Sequence, residues 1–304
     1  MIYTLTINPA IDYAITLKTL NKGEINRSKC ETHHYGGKGI NVSTVLSRLG
    51  TPSTALGFIG GITGDELAKG LNEEGIASDF IRLETGLTRI CVKITEADGT
   101  QTDINPAGPD ITAANIDELM KKLDTLTCDD TLVLAGSVPS SVPRDIYAQI
   151  CKKLFDKVRV VVDAAGPLLT PVLPYHPWLI KPNHLEAAEM CDKSIESHSV
   201  AEDCALQLRA MGASNVVISM AEKGAVLAAE NGDDFRITAP KGKVICNVGA
   251  GDALLAGFLS GFDSTHDYRT ALRYGIAAGT ATAFTDGLCT KEMFDKVLSE
   301  VSYG

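Results

Sequence analysis

Asn247-Val248-Gly249-Ala250-Gly251-Asp252 follows a short apolar run, residues 243–246, and opens an apolar helical stretch, residues 252–262. Glycines permit a tight turn whose backbone amides point inward, and the N-terminus of the following helix adds positive potential. We therefore expect Gly249, Ala250 and Gly251 to form an anion-binding turn. Asp252 beside it is a candidate catalytic base that accepts the proton of an attacking hydroxyl. An aspartate that starts a helix after a glycine turn is also common without any catalytic role.

Outward from this segment, short β-branched runs alternate with helical patterns along the chain. The predicted strands are residues 2–7, 53–59, 131–135, 158–163, 178–181, 215–219, 225–229 and 243–246. Helical spacing covers residues 42–50, 65–74, 111–126, 143–155, 184–191, 200–211, 252–262 and 268–284. Nearly continuous apolar strands separated by helices predict an α/β fold, a three-layer αβα, Rossmann-like arrangement around a mostly parallel sheet.

Two segments do not follow this alternation of apolar strands and helices. Residues 13–35 and 89–105 alternate apolar and polar side chains, as in strands with one solvated face. We expect them to form hairpins at the edge of the sheet, as a small β-sheet lid over a cleft, although plain surface hairpins fit the pattern equally well. Because no linker or repeat interrupts the chain, residues 1–304 are predicted to form a single domain.

Composition excludes some classes of function. The net charge of −10 argues against a protein that binds nucleic acid or an anionic membrane through a basic face. The longest apolar stretch, residues 253–262, is too short to cross a bilayer. The first ten residues lack the basic start of a signal peptide, and the eight cysteines show no CxxC spacing. A reducing, cytoplasmic location is the simplest expectation.

A second glycine-rich segment, residues 35–42, precedes a predicted helix. Gly37 lets the backbone approach a ligand, and the side chains of Lys38 and Asn41 can bind hydroxyl or phosphate oxygens. It is not a phosphate-binding loop of the GxxxxGK[ST] type, because Gly39 follows the lysine. A strand-to-helix turn without a ligand is the alternative interpretation.

A third segment, residues 181–186, follows an apolar strand. Asn183 and Glu186 are three residues apart, so in a starting helix they face the same way. An amide and a carboxylate at this position could order water around Mg²⁺ near a triphosphate. The same two residues also make a plausible capping pair with no ligand.

Weaker candidates also fall at predicted strand ends or in the loops that follow them. In open α/β sheets ligands bind at the carboxyl ends of the strands, so their joint occurrence favours a binding site. These candidates are Asp12 for sugar hydroxyls, Arg27, Lys38 and Arg89 for a substrate phosphate, Ser137 for the substrate, and Ser219 and Gly224 for a nucleotide.

With these motifs the chain resembles the ribokinase-like (PfkB) carbohydrate kinases, and within them the branch of 1-phosphofructokinases and tagatose-6-phosphate kinases. The resemblance runs through residues 6–12, 36–42, 88–89, 105–109, 136–139, 181–186 and 249–252. The GGKGIN segment, residues 36–41, and the GAGD segment, residues 249–252, are specific when they occur together in this order.

The resemblance implies residue roles. Asp252 would be the catalytic base and residues 249–252 the anion hole, while Asn183 and Glu186 would organise Mg²⁺ through water. The remaining implied contacts are Asn183, Ser219, Gly224, Gly249 and Gly251 for ATP; Asp12, Gly37, Lys38, Asn41 and Ser137 for the sugar; and Arg27 and Arg89 for its phosphate. A homodimer formed through the β lid is also typical of the family.

The implied activity is ATP-dependent phosphorylation of a ketohexose phosphate, with fructose 1-phosphate first. Tagatose-6-phosphate kinase activity is the alternative, and so is a regulator that binds sugar phosphate or nucleotide without turnover. The chain carries Ala221, Cys246 and Asn247 where the branch commonly has other residues, which leaves the preferred nucleotide open. A nicotinamide-dependent oxidoreductase is disfavoured, because the third glycine of the dinucleotide motif is absent after residues 249–251.

Overall fold

The computed structural model describes residues 1–164 and 166–302. Its strands are β1 Ile2–Thr6, β2 Ala10–Leu17, β3 Cys30–Gly36, β4 Ser53–Gly60, β5 Ala77–Ser78, β6 Ile81–Leu83, β7 Arg89–Glu96, β8 Gln101–Ile104, β9 Thr131–Ala135, β10 Arg159–Asp163, β11 Leu179–Ile180, β12 Asn215–Ser219, β13 Ala225–Ala228 and β14 Asp234–Ile237. Its α-helices are α1 Lys38–Arg48, α2 Gly61–Glu73, α3 Ala113–Leu123, α4 Ile146–Leu154, α5 Gly166–Leu169, α6 His184–Cys191, α7 His198–Ala210, α8 Ala250–Thr265, α9 Tyr268–Ala283 and α10 Lys291–Glu300. Short 3₁₀ helices cover Thr170–Tyr175 and Ala221–Lys223.

A large, mostly parallel sheet forms the centre of the molecule. Its order is β14-β13-β12-β11-β10-β9-β1-β4-β5, with β6 also paired to β4, and only β13 and β14 run antiparallel to their neighbours in this described sheet. β1 pairs with β4 on one side and with β9 on the other, so the later strands are added in the opposite direction from the earlier ones. This reversal of strand order opens a crevice at the carboxyl ends of the strands.

Helices cover both faces of this sheet. Leu132 and Leu134 of β9 pack into one core with α3, α4, α6 and α7. Val133 and Ala135 of the same strand pack into a second core with α1, α8, α9 and α10. Because alternate side chains of a strand point to opposite faces, a strand buried on both sides reads as continuously apolar. The predicted αβα arrangement and mostly parallel sheet are confirmed.

Glycines bring α8 close to α9 and so fix the helix that begins at the glycine turn. A Cβ atom at Gly257 of α8 would collide with the carbonyl oxygen of Tyr274, and one at Gly275 of α9 would lie 2.9 Å from the carbonyl oxygen of Leu254. Any side chain at either position would push the helices apart. The N-terminus of α8 is thereby held at the crevice.

A separate small sheet has the order β3-β2-β7-β8. The two hairpins, β2–β3 and β7–β8, are joined side by side through a parallel pairing of β2 with β7. These four strands are called the small sheet below. The alternating pattern correctly predicted two hairpins and a small β-sheet, but they form a sheet of their own instead of extending the edge of the central sheet, and β2 begins at Ala10 rather than at residue 13.

Several elements differ from the sequence prediction, among them the short strands β5 and β6, which were not predicted. The predicted strand at residues 243–246 is wrong, because Val244 and Ile245 are about half exposed and the amide of Ile245 donates instead to the carbonyl oxygen of Ala283, 2.8 Å away. The edge strand β14 was missed, since its charged residues hide the pattern. Helix α10 was also missed, although Thr290 caps its N-terminus.

Candidate active site

The cleft with the predicted site residues lies where the carboxyl ends of the central strands face the small sheet. Its volume is about 1310 Å³. Residues at or just after β1, β9, β10, β11 and β12 line its floor, and the first turn of α8 lines one end. The inner face of β2, β7 and β8 lines the opposite side. The cleft is thus open to a ligand held between the two sheets.

Asp252 lies in the first turn of α8, after a turn that only glycine forms without strain. Gly249 has a φ of 79°, in the left-handed region, and a Cβ atom there would also lie 2.5 Å from Leu288. The Asp252 side chain is 6 % exposed, and its Oδ2 accepts a hydrogen bond of 2.7 Å from Nδ2 of Asn41 on α1. The carboxylate therefore faces the cleft with one fixed partner.

Burial makes this carboxylate a stronger base than an ordinary aspartate. Loss of water, and then the negative charge of Asp163, raise the pKa of Asp252 to about 6. The hydrogen bond from Asn41 and the charges of Lys38 and Lys181 act in the opposite direction. The group is therefore ionised at neutral pH and close enough to its pKa to take up a proton during a reaction.

Asp163, the last residue of β10, is held between two lysines. Its Oδ2 lies 3.2 Å from Nζ of Lys181, and its Oδ1 lies 3.4 Å from Nζ of Lys38. Asp163 and Lys181 are almost fully buried, at 1 % and 4 % exposed. The Asp163 carboxylate is the main cause that raises the pKa of Lys38. The lysines also lie next to the glycine turn, since a Cβ atom at Gly251 would lie 3.4 Å from Nζ of Lys181.

Asn183 and Glu186 form the capping pair that was the alternative interpretation. Oδ1 of Asn183 accepts from the amides of Leu185 and Glu186, and Oε2 of Glu186 accepts from the amide of Asn183, each at 2.9 Å. Both residues nevertheless line the cleft. Capping occupies one oxygen of Glu186 and leaves the other free to accept from water.

A magnesium ion that keeps its water shell fits these residues, whereas direct chelation does not. Throughout residues 1–164 and 166–302, no group of three His, Cys, Asp or Glu side chains is placed to hold a metal ion. Mg²⁺ dehydrates reluctantly and usually keeps several waters in nucleotide sites. The half-buried Glu186 and the neighbouring Asn183 are suited to that outer role.

The small sheet contributes charged groups from its inner face. Oδ2 of Asp12 on β2 lies 3.3 Å from Nζ of Lys93 on β7. Nη2 of Arg89 donates to the carbonyl oxygen of Asn8 at 3.0 Å, while its buried Nε has no acceptor in the described part of the chain. Arg89 itself lines the cleft, so its guanidinium is a second cation on this side.

Nearly all the predicted site residues line this one cleft. They are Asp12, Gly37, Lys38, Asn41, Arg89, Ser137, Asn183, Glu186, Ser219, Gly224, Gly249, Ala250, Gly251 and Asp252. Arg27 is the exception: it is exposed in the connection between β2 and β3 and is not among the lining residues of the described chain.

Several charged residues of the cleft were not predicted as site residues, among them Asp163, Lys181 and Lys93. Asp163 and Lys181 each stand at the carboxyl end of a predicted strand, a position that could have indicated them. Lys93 belongs to the predicted alternating segment at residues 89–105, where its position facing the cleft depends on the register between β2 and β7. Ala221, where the branch commonly has glycine, has a φ of 50°, which is the left-handed conformation that glycine favours.

Comparison with known proteins agrees with this geometry. The profile described as "pfkB family carbohydrate kinase" matches residues 5–293. The chain belongs to the pfkB family of carbohydrate kinases. This confirms the resemblance inferred from the two glycine motifs. Membership of the family also implies ATP as the substrate that donates the phosphoryl group.

Several pfkB relatives are similar over their whole length. A 1-phosphofructokinase of Bacillus subtilis is 40% identical over 304 residues, which is 99% of this chain and 98% of the relative. A D-tagatose-1-phosphate kinase of Bacillus licheniformis is 37% identical over 303 residues, again 99% of this chain and 98% of the relative. The crystal structure of a Staphylococcus aureus protein, named as a candidate phosphofructokinase, has a TM-score of 0.91 at 38% identity and covers 100% of this chain and 98% of its own. No helix in the described parts of this kinase is long and apolar enough to cross a membrane.

The buried ion pair of Asp163 generates a stability prediction. Lys181→Met would remove one of the two lysines that pair with the carboxylate, and removing one partner of a buried pair costs about 3 kcal/mol. We expect the free energy of unfolding in urea to fall by about that amount. Lys291→Met is the matched control, because Lys291 and Asp295 pair on the surface of α10 with both side chains about half exposed, and such pairs contribute roughly 0–1 kcal/mol. Equal effects of the two substitutions would contradict a stabilising role for the buried pair.

Proposed function

We propose that this kinase transfers the γ-phosphoryl group of ATP to a ketohexose phosphate, with fructose 1-phosphate as the preferred acceptor. The observation that carries the proposal is the buried carboxylate of Asp252, held by Asn41 beside the turn of Gly249, Ala250 and Gly251. In this reaction a hydroxyl oxygen of the sugar attacks the γ-phosphorus, and the bond from that phosphorus to the ADP oxygen breaks. The hydroxyl proton passes to Asp252.

Charge in the cleft supports the phosphoryl transfer. The amides of the glycine turn and the N-terminus of α8 would stabilise the transferring group, and Lys38 and Lys181 add two cations close by. ATP would lie along Ser219 and Gly224, which line the same cleft. When bound, Mg²⁺ would neutralise the phosphate charge, and Glu186 and Asn183 would hold it through water.

The acceptor is inferred from the relatives and from the cations that line the cleft. The two relatives are named for fructose 1-phosphate and tagatose 1-phosphate chemistry, so both names specify a ketohexose that already carries a phosphate. The guanidinium of Arg89, which lines the cleft, supports binding of such a phosphate, and Arg27 would need to move or come from another subunit to join it. Asp12 would accept hydrogen bonds from the sugar hydroxyls.

Tagatose phosphates are the second candidate class, favoured by the relative from Bacillus licheniformis. Tagatose and fructose differ only in the configuration at C4, so a single hydroxyl contact decides between them. This class includes tagatose 6-phosphate, the alternative substrate expected from the sequence. A regulator without turnover is disfavoured, because the base, the anion-binding glycines and the pair at Asn183 and Glu186 are all present.

The experiment that tests the proposal is a coupled assay of ADP release. Fructose 1-phosphate, tagatose 1-phosphate, tagatose 6-phosphate, fructose 6-phosphate and fructose are each supplied with ATP and Mg²⁺. We expect kcat/KM to be highest for fructose 1-phosphate and lowest for unphosphorylated fructose. A higher value for either tagatose phosphate would shift the assignment to that substrate. No ADP release with any acceptor, despite saturable binding, would support the regulator instead.

Loss of the carboxylate tests the assigned base. Asp252→Asn is expected to lower kcat by about 10²–10⁴-fold with a small change in KM, since positioned general bases contribute a factor of this size. In the wild type, kcat should fall as the pH drops below about 6, because protonation at the raised pKa of Asp252 removes the base. The control is Asp263→Asn at the exposed far end of α8. Wild-type turnover in Asp252→Asn would rule out the assignment.

We also propose that the kinase forms a homodimer through the small sheet, which would then act as a lid. The outer face of this sheet is apolar, because Ile90, Val92, Ile94 and Ile104 alternate with the polar inner residues. Ile90 and Ile104 remain 41% and 54% exposed in the single chain. An apolar face of this kind is typical of an interface.

The dimer proposal predicts that a charge placed on the outer face of the small sheet lowers the molecular mass of the protein in solution. Ile104→Asp should shift the protein from dimer to monomer in sedimentation equilibrium, because a buried charge without a partner opposes association. Ile62→Asp on α2 is the control, since Ile62 is also exposed, at 78%, but lies outside the small sheet. A monomeric wild type, or a dimeric Ile104→Asp protein, would contradict the proposal.

A further inference from the structure

Lys93 lies on the side of the small sheet that faces the cleft. In the parallel pairing of β2 with β7, Asp12 is opposite Cys91, so Lys93 stands one step further along the same face. In the antiparallel pairing of β7 with β8, Lys93 is directly opposite Asp103. Lys93, Asp12 and Asp103 all line the cleft. The ammonium group is therefore paired with the Asp12 carboxylate, on a face of the sheet that a ligand in the cleft can reach.

The ion pair between Lys93 and Asp12 can be exchanged. The two side chains are 31% and 26% exposed, and the atoms are 3.3 Å apart. Partly exposed pairs contribute little to stability, so another anion can compete for the ammonium group at small cost. While the pair exists, it also occupies one of the carboxylate oxygens that a sugar hydroxyl would need.

Arg89 is a second cation on this face of the small sheet. It precedes Lys93 by four residues on β7, so both side chains point to the same side of the strand, and both line the cleft. A phosphate group on this side would accept from the guanidinium of Arg89 and offer further oxygens to the three N–H donors of a lysine.

We propose that Lys93 determines the specificity of this kinase for phosphorylated sugars by exchanging partners. It leaves Asp12 for the phosphate that the sugar already carries, and the freed Asp12 carboxylate then binds the sugar hydroxyls. An unphosphorylated sugar offers nothing to Lys93 and must compete with it for Asp12. Discrimination thus arises both from a new ion pair with the right substrate and from an obstacle to the wrong one. The inference rests on the proposed phosphosugar substrate.

Calorimetric titration of the full-length protein with fructose 1-phosphate and with fructose tests the exchange. Lys93→Met should weaken binding of fructose 1-phosphate about tenfold or more, a loss typical of one charge-assisted contact. Binding of fructose should stay unchanged or become tighter, because the competitor for Asp12 is gone. Lys93→Arg should retain most of the preference, and Lys18→Met, on an exposed lysine outside the cleft lining, should behave as the wild type.

The outcomes separate this inference from the proposed function. Equal weakening of both ligands in Lys93→Met would show that Lys93 acts only by supporting Asp12, and no change for either ligand would show that it has no role. Either result overturns the exchange while the kinase assignment stands. A wild type that turns over no phosphosugar would instead defeat the substrate assignment, and the specificity role of Lys93 with it.

Discussion

The site depends on the placement of two carboxylates in one buried cleft. Burial, and after it the repulsion from Asp163, raises the pKa of Asp252 to about 6 and so makes it a stronger base than an ordinary aspartate. The ammonium groups of Lys38 and Lys181 lie 3.4 and 3.2 Å from oxygens of the Asp163 carboxylate, and their positive charges offset its negative charge. Without these lysines, two buried negative charges would destabilise the fold that brings them together.

The topology of the sheet explains how these groups meet. Asp163 ends β10, Lys181 follows β11 and Asp252 lies in the first turn of α8, so residues far apart in the chain reach the same crevice. Each belongs to an element fixed by apolar packing on one or both faces of the sheet. The close contact of α8 with α9 also positions the site, because Gly257 and Gly275 determine where the first turn of α8 lies. Precision at the site therefore derives from packing some distance away.

The sequence predicted the parts of this arrangement that have a local cause. The runs at residues 131–135 and 215–219 match β9 and β12, and the helix at residues 184–191 matches α6, because burial and capping leave clear patterns. The run at residues 243–246 has the same β-branched character but finds no neighbouring strand in the described structure. Pairing is a property of the whole sheet, and the composition of four residues does not determine it.

The site residues also differ in how far the sequence could predict them. The glycine turn has a local cause, the left-handed φ at Gly249, so residues 249–252 could be selected from the sequence. No local sequence pattern identifies a lysine that faces a carboxylate. Whether Lys93 faces Asp12 or solvent depends on the pairing of β2 with β7.

That register also links two properties of the small sheet. Lys93 and Ile94 are neighbours on β7, yet one faces the cleft and the other belongs to the apolar outer face. Because side chains alternate with a period of two, a slip of one residue would send the charge outward and the apolar row inward. The pairing that leaves Ile90 and Ile104 exposed on one face is therefore the same pairing that presents Asp12 and Lys93 to the cleft on the other.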